Sequence, residues 1–207
     1  MNSRQLTVTV LAIAALVVGV LAFVLAGTSD HPEAGGEDGI IGGDFVLRGG
    51  QGEVALEDFR GKVVLLYFGF LTCTDVCPTS MGVYEAALNR LADEELAQVQ
   101  PLLVSIDPAR DTPEALAEFA QFYHPSIIGL TGSQEEVDAV AADYGAFFEK
   151  EAAEDPTLDY VFRHSSRYYV IDQRGQLHDA MRHSTTPNEL VARIRTLIST
   201  ETSRDPA

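Results

Sequence analysis

Eight consecutive apolar residues, Val63 to Phe70 (VVLLYFGF), constrain this chain more than any other stretch. A strand with one wet face alternates apolar and polar side chains, whereas a strand without alternation has both faces covered. Such a strand needs layers above and below it, which points to helices on both sides of a sheet. A second run of the same kind, Val99 to Ile106 (VQPLLVSI), lies one helix-length further on. Between the two, Cys77-Pro78 opens a helix read to about Ala97, with Met81, Tyr84, Leu88 and Leu91 at helical spacing.

The flanking pattern extends this unit. Phe45–Leu47 and Glu53–Leu56 read as a short strand pair turning at Gly49-Gly50. Thr112-Pro113-Glu114 starts a helix, with Thr as cap, Pro in the first turn and an acid near the positive end of the dipole. Ile127–Leu130 is a strand, and Ser133 with Glu136 forms a capping box for a helix to about Tyr144. Phe147–Glu149 reads as a short strand and 151–160 as an acidic loop. Arg167–Asp172 and Gln176–Met181 form a hairpin around Gln173-Arg174-Gly175, and Thr186-Pro187 caps a last helix to about Ile198. The order predicts an α/β domain over residues 43–200. It is the thioredoxin arrangement, a mixed central sheet flanked by helices, with an N-terminal β pair and an inserted strand–helix segment.

The N-terminal region is a separate object. Leu6 to Ala26 holds neither charge nor proline, and as a helix its 21 residues reach about 31 Å, the thickness of a bilayer core. Arg4 precedes the run, and no Lys or Arg follows it until Arg48. The positive-inside rule then leaves residues 1–5 in the cytoplasm and the rest outside the cytoplasmic or inner membrane. A cleaved signal peptide is the competing reading, with Val24-Leu25-Ala26 as its cleavage site, but the run is longer than a signal core. Residues 27–42 read as a flexible acidic tether and 201–207 as a frayed tail. The formal net charge of −17 argues against a nucleic-acid partner.

Cys73 and Cys77 are the only cysteines, and they follow the first buried strand, where α/β folds build their sites. Cys77 falls at a helix N-terminus, where free N–H groups and the dipole favour a thiolate. Positions i and i+4 of a regular helix hold their Cβ atoms about 5–6 Å apart, and a disulfide needs about 3.5–4.5 Å. With an extended loop at 71–75, both a disulfide and a shared metal ion are feasible. A purely structural bridge would close a very small loop, where stabilisation is least.

Two thiolates alone rarely hold a metal, so a third ligand is sought among five histidines. His31 lies in the tether, His124 suits a cationic helix cap, and His178 and His183 flank the last strand as surface residues. His164, in FRHSSRYYVID, precedes a strand that the fold places beside the central one, so its loop opens at the same sheet edge as the cysteines. Position alone makes it a candidate and does not decide it. Two sulfurs and an imidazole suit copper as Cu(I) or Cu(II), while zinc wants a fourth ligand, for which Asp75 is nearest. Ligand counting leaves both metals open.

YFGF-x-x-C-x-D-V-C-P-T, SIDPARDTPEAL, GLTGS, YGAFFEK and HSS-x-YYVID-x-x-G-x-L, in that order, resemble the Sco/SenC family. These are membrane-anchored, thioredoxin-like copper proteins that assist cytochrome c oxidase assembly. The resemblance spans about 43–200 and implies copper on Cys73, Cys77 and His164. Its implied partner is the copper-bearing oxidase subunit, or another copper protein, with delivery to the copper A centre. Thr74 stands where the family often has proline, which removes a φ constraint and no ligand. Asp75 and Asp107 are expected near the site, and Arg110 is expected to pair with Asp107 or Asp111. The alternative function is a thiol–disulfide oxidoreductase using Cys73 and Cys77 as a redox pair on the oxidase subunit or another exported protein.

Overall fold

The computed structural model describes residues 42–153 and 159–202. The expected anchor at 6–26, the tether up to residue 41 and the tail from 203 lie outside them. Among the described residues no helix is long and apolar enough to cross a membrane.

Among the described residues, nine strands and five α-helices follow one another in chain order. They are β1 (Val46–Gly49), β2 (Gly52–Ala55), a 3-10 turn (Leu56–Phe59), β3 (Val63–Gly69), α1 (Val76–Leu88), the single-turn α2 (Asp93–Leu96) and β4 (Val99–Ser105). Then come α3 (Pro113–Tyr123), β5 (Ile128–Thr131), α4 (Gln134–Asp143), β6 (Phe148–Ala152), β7 (Tyr160–His164), β8 (Arg167–Ile171), β9 (Leu177–Arg182) and α5 (Pro187–Thr202). Seven strands form one mixed sheet in the order β2-β1-β5-β4-β3-β8-β9, and β6 and β7 pair apart from it. β3 runs parallel to β4 and antiparallel to β8, so the C-terminal ends of β3 and β4 and the start of β8 share one edge.

The continuous apolar runs behave as expected: every residue of β3 and of β4 is buried. On one face of β3, Tyr67 packs with Tyr84 of α1 and Tyr168 of β8. On the other, Phe68 packs against Tyr169 and against Tyr144, which caps α4. Helices therefore cover both faces, as a strand without alternation requires. Three N-caps also form as read. The side-chain oxygens of Thr112, Ser133 and Thr186 each accept the backbone N–H three residues on. The expected hairpin turn is made by Gly175 at φ +81°, which a side chain would resist.

Four expectations need correction. The helix read from Cys77 to Ala97 ends at Leu88, and residues 93–96 form a separate turn. The backbone N–H groups of Arg90 and Leu91 bond back to residues 87 and 88, an i−3 pattern that tightens the chain out of the α-helix. The segment read as loop 151–160 begins and ends in strand, because Glu151↔Val161 and Ala152↔Tyr160 pair across β6 and β7. Leu56 leaves β2 for the 3-10 turn. His124 takes the C-cap position of α3 as read but not as a cation: its Nδ1 accepts the Ser126 N–H at 3.2 Å, and burial lowers its pKa.

Candidate metal centre

β3 delivers the cysteine loop. After Gly69 the chain turns, with the Cys73 N–H donating to the Phe70 carbonyl at 3.3 Å, and re-enters regular structure at Val76. Cys77 is the second residue of α1, so its N–H is one of the helix's unpaired donors. It donates to the Cys73 sulfur at 3.3 Å. Both cysteines are free thiols, Cys77 buried and Cys73 half-buried.

His164 arrives from the other side as the last residue of β7. Its ring sits edge-on to Phe70, centroids 5.8 Å apart, and Phe70 also meets Phe162 at 5.6 Å. The His164 Nδ1 lies 3.1 Å from the Ser165 carbonyl. A carbonyl oxygen only accepts, so Nδ1 carries a proton and Nε2 is the nitrogen turned toward the sulfurs. That Nε2 lies 3.8 Å from the Cys77 sulfur. The ligating atoms of Cys73, Cys77 and His164 all fall within 4.8 Å of one another. A cleft of about 310 Å³, lined by Phe70, Thr72 to Val76 and Val161 to His164, opens onto Cys73 and His164.

The two thiols are unlike. Hydrogen bonding from the Cys77 thiol holds the Cys73 pKa down at about 4, against the opposing effect of burial, with further help from His164 and the backbone N–H groups of Cys77 and Asp75. The same bond, and then burial, pushes the Cys77 thiol up. Cys73 is thus the thiolate of the pair and Cys77 its protonated donor. Burial also pushes up the pKa of Tyr67, whose hydroxyl hydrogen-bonds Ser166 Oγ at 2.7 Å.

Close packing at the end of β3 sets where the Cys77 sulfur can be. A Cβ on Gly69 would stand 3.2 Å from that sulfur, 3.2 Å from the Tyr67 ring and 3.3 Å from Leu103. Glycine there lets the sulfur lie against the strand backbone.

The three ligands read from the sequence meet. Asp75 is exposed and Asp107 is buried, and neither joins the cluster. Arg110 pairs with Asp107 at 2.5 Å, as expected. His178 and His183 are exposed, and His183 Nδ1 also reaches Ser80 Oγ at 3.1 Å. Sequence reading missed Gly69, Phe70 and Phe162 as the frame of the site, and Tyr160 as the root of the His164 strand. The signal for β7 was present in Tyr160-Val161-Phe162, an aromatic and β-branched run at the end of the supposed loop.

The chain is similar to known proteins in sequence and in fold. The SCO1/SenC family profile matches residues 33–199. The yeast protein "SCO2, mitochondrial" is 39% identical over 142 residues, which is 68% of this chain and 47% of that protein, so the chain spans about half its length. A SCO2-like protein of Rickettsia conorii is 32% identical over 204 residues, covering 94% of this chain and 99% of the relative. Among solved structures, Arabidopsis thaliana ScoI with copper bound superposes with a TM-score of 0.71 at 32% identity, covering 77% of this chain and 99% of that one.

Proposed function

The chain belongs to the SCO1/SenC family, and from that premise we propose that it is a membrane-anchored copper metallochaperone. It takes copper on Cys73, Cys77 and His164 and helps assemble the copper A centre of the cytochrome c oxidase copper-bearing subunit.

The observation that carries this reading is the meeting of two sulfurs and one imidazole nitrogen within 4.8 Å. Soft sulfur donors with one imidazole suit copper. A structural zinc site wants four protein ligands, and among the described residues no Asp, Glu or further His joins these three. The donors are prepared to different degrees. Cys73 is already a thiolate, His164 turns Nε2 to the sulfurs, and Cys77 gives up one proton on binding, so uptake releases a proton. Residues 6–26 hold the chain in the cytoplasmic or inner membrane with the domain on the extracytoplasmic side. The uncharged 21-residue run and the lack of Lys or Arg between it and Arg48 support that orientation.

Anaerobic Cu(I) titration of the full-length reduced chain tests the reading. About one copper per chain is expected, held far more weakly after Cys73, Cys77 or His164 is changed to Ala. Undiminished binding by His164→Ala would sink the three-ligand site.

The contrast between the two thiols favours a second activity of the same pair. The Cys73 thiolate attacks one sulfur of a partner disulfide and expels the other as a thiolate. Cys77 then attacks the Cys73 sulfur of the mixed disulfide. The partner leaves with two thiols, and Cys73 and Cys77 are left joined, having supplied two electrons. His164→Ala should leave this exchange intact, so the two activities separate in one variant.

A further inference from the structure

The two halves of the metal centre belong to different sheets. The cysteine loop leaves β3 of the seven-stranded sheet, whereas His164 ends the separate β6–β7 pair. The Asp107-Pro-Ala-Arg-Asp111 turn after β4 touches both halves, and none of its residues is a ligand.

Toward the cysteines, Asp111 Oδ2 accepts the Leu71 N–H at 3.1 Å and the Ser105 hydroxyl at 2.6 Å. Toward the histidine, Tyr160 at the root of β7 is gripped in three ways. Its hydroxyl donates to Asp107 Oδ1 at 2.8 Å. Its carbonyl accepts from Arg110 Nη1 at 3.1 Å. Its ring lies under the Arg110 guanidinium, 3.8 Å from the centroid. Arg110 Nε bonds Asp107 Oδ2, and Ser105 Oγ accepts the Asp107 N–H at 3.0 Å, which ties the two acids together.

Asp107 and Asp111 are 1% and 2% exposed. Two acids and a guanidinium are a costly way to fill space, and well-packed apolar residues often serve as well or better. Arg110 Nη2 and Asp111 Oδ1 are also buried with no hydrogen-bond partner among the described residues. A cluster that keeps such groups is under geometric demand from what it holds. A strand transmits that demand: β7 carries Tyr160 at one end and His164 at the other, about 13 Å along.

We infer that Asp107, Arg110 and Asp111, acting through Tyr160 and the Leu71 amide, form a clamp that sets His164 against the two cysteines. They are positioning residues, and the clamp governs how tightly the site holds its metal. The affinity arm of this inference rests on the three-ligand copper reading; its effect on β7 does not.

Tyr160→Phe tests it in the full-length chain, because it removes one hydroxyl and keeps the ring under Arg110. In the metal-free protein, amide hydrogen exchange in β7 should rise about tenfold while β3 and β4 stay unchanged. Cu(I) affinity, read against a chromophoric chelator, should fall about 10- to 100-fold, the usual effect of losing a partner behind a ligand. The Tyr160→Phe/His164→Ala double variant should bind no more weakly than His164→Ala, since the hydroxyl acts only through that ring. Arg110→Lys, which keeps the charge and loses the fork, should reproduce both effects. Unchanged β7 exchange in both variants overturns the clamp whether or not copper binds. Additive losses in the double variant overturn the route through His164. If His164→Ala alone binds normally, the three-ligand reading falls, and β7 exchange decides the clamp.

Discussion

Alkylation of the reduced, metal-free chain by iodoacetamide should fall almost wholly on Cys73, at a rate nearly flat between about pH 6 and pH 9. The Cys77 thiol donates to Cys73 and holds its pKa down at about 4, while that same bond and burial keep Cys77 protonated. A thiol with the ordinary pKa of 9.0 is ionised to about one part in a thousand at pH 6, whereas Cys73 is fully ionised. That is an advantage of about 1000-fold in thiolate. Low basicity takes most of it back. A pKa lower by about five, at a Brønsted slope of about 0.45, reduces intrinsic nucleophilicity about 200-fold. Near pH 6 Cys73 should therefore react about fivefold faster than an ordinary thiol, and near pH 9 about 100-fold slower. Stopped reactions at several pH values, with the alkylated cysteine located by peptide mass, measure this. Cys77→Ala removes the principal donor and should restore a rising profile. A wild-type rate that climbs about tenfold per pH unit between 6 and 8 would refute the reasoning, since only a thiol that is still ionising behaves that way.

Gly69→Ala forces a Cβ to within 3.2 Å of the Cys77 sulfur. Overpacking, partly offset by a less flexible unfolded chain, should cost about 1 kcal/mol, lower Tm by about 2–4 °C and weaken copper binding about tenfold. Unaltered copper affinity would mean that the sulfur's place is not set by this contact. Leu66→Ala truncates a fully buried side chain of β3 and should cost about 2–5 kcal/mol, read from the urea midpoint. A loss under about 1 kcal/mol would contradict a strand covered on both faces.

The features legible in the linear chain are those whose physics is local. VVLLYFGF lacks alternation because both sides of β3 are covered, and the same feature marks β4. Thr112, Ser133 and Thr186 announce their helices because a cap bonds a group only three residues away. The cysteines could be placed at a strand end and helix start for the same reason, and the order of elements put His164 at their edge. Pairing between distant segments has no such local mark. β1 joins β5, extending the sheet beyond its parallel strands, and β7 pairs with β6 away from it. Asp107, read as a neighbour of the site, is with Asp111 its scaffold, the pair joined to Tyr160 and Leu71 across long stretches of chain. Periodicity and capping reach one turn or one strand pleat along the backbone, so they report elements. Bonds between residues tens of positions apart depend on how those elements pack, and only the folded chain brings the imidazole, the two sulfurs and their clamp together.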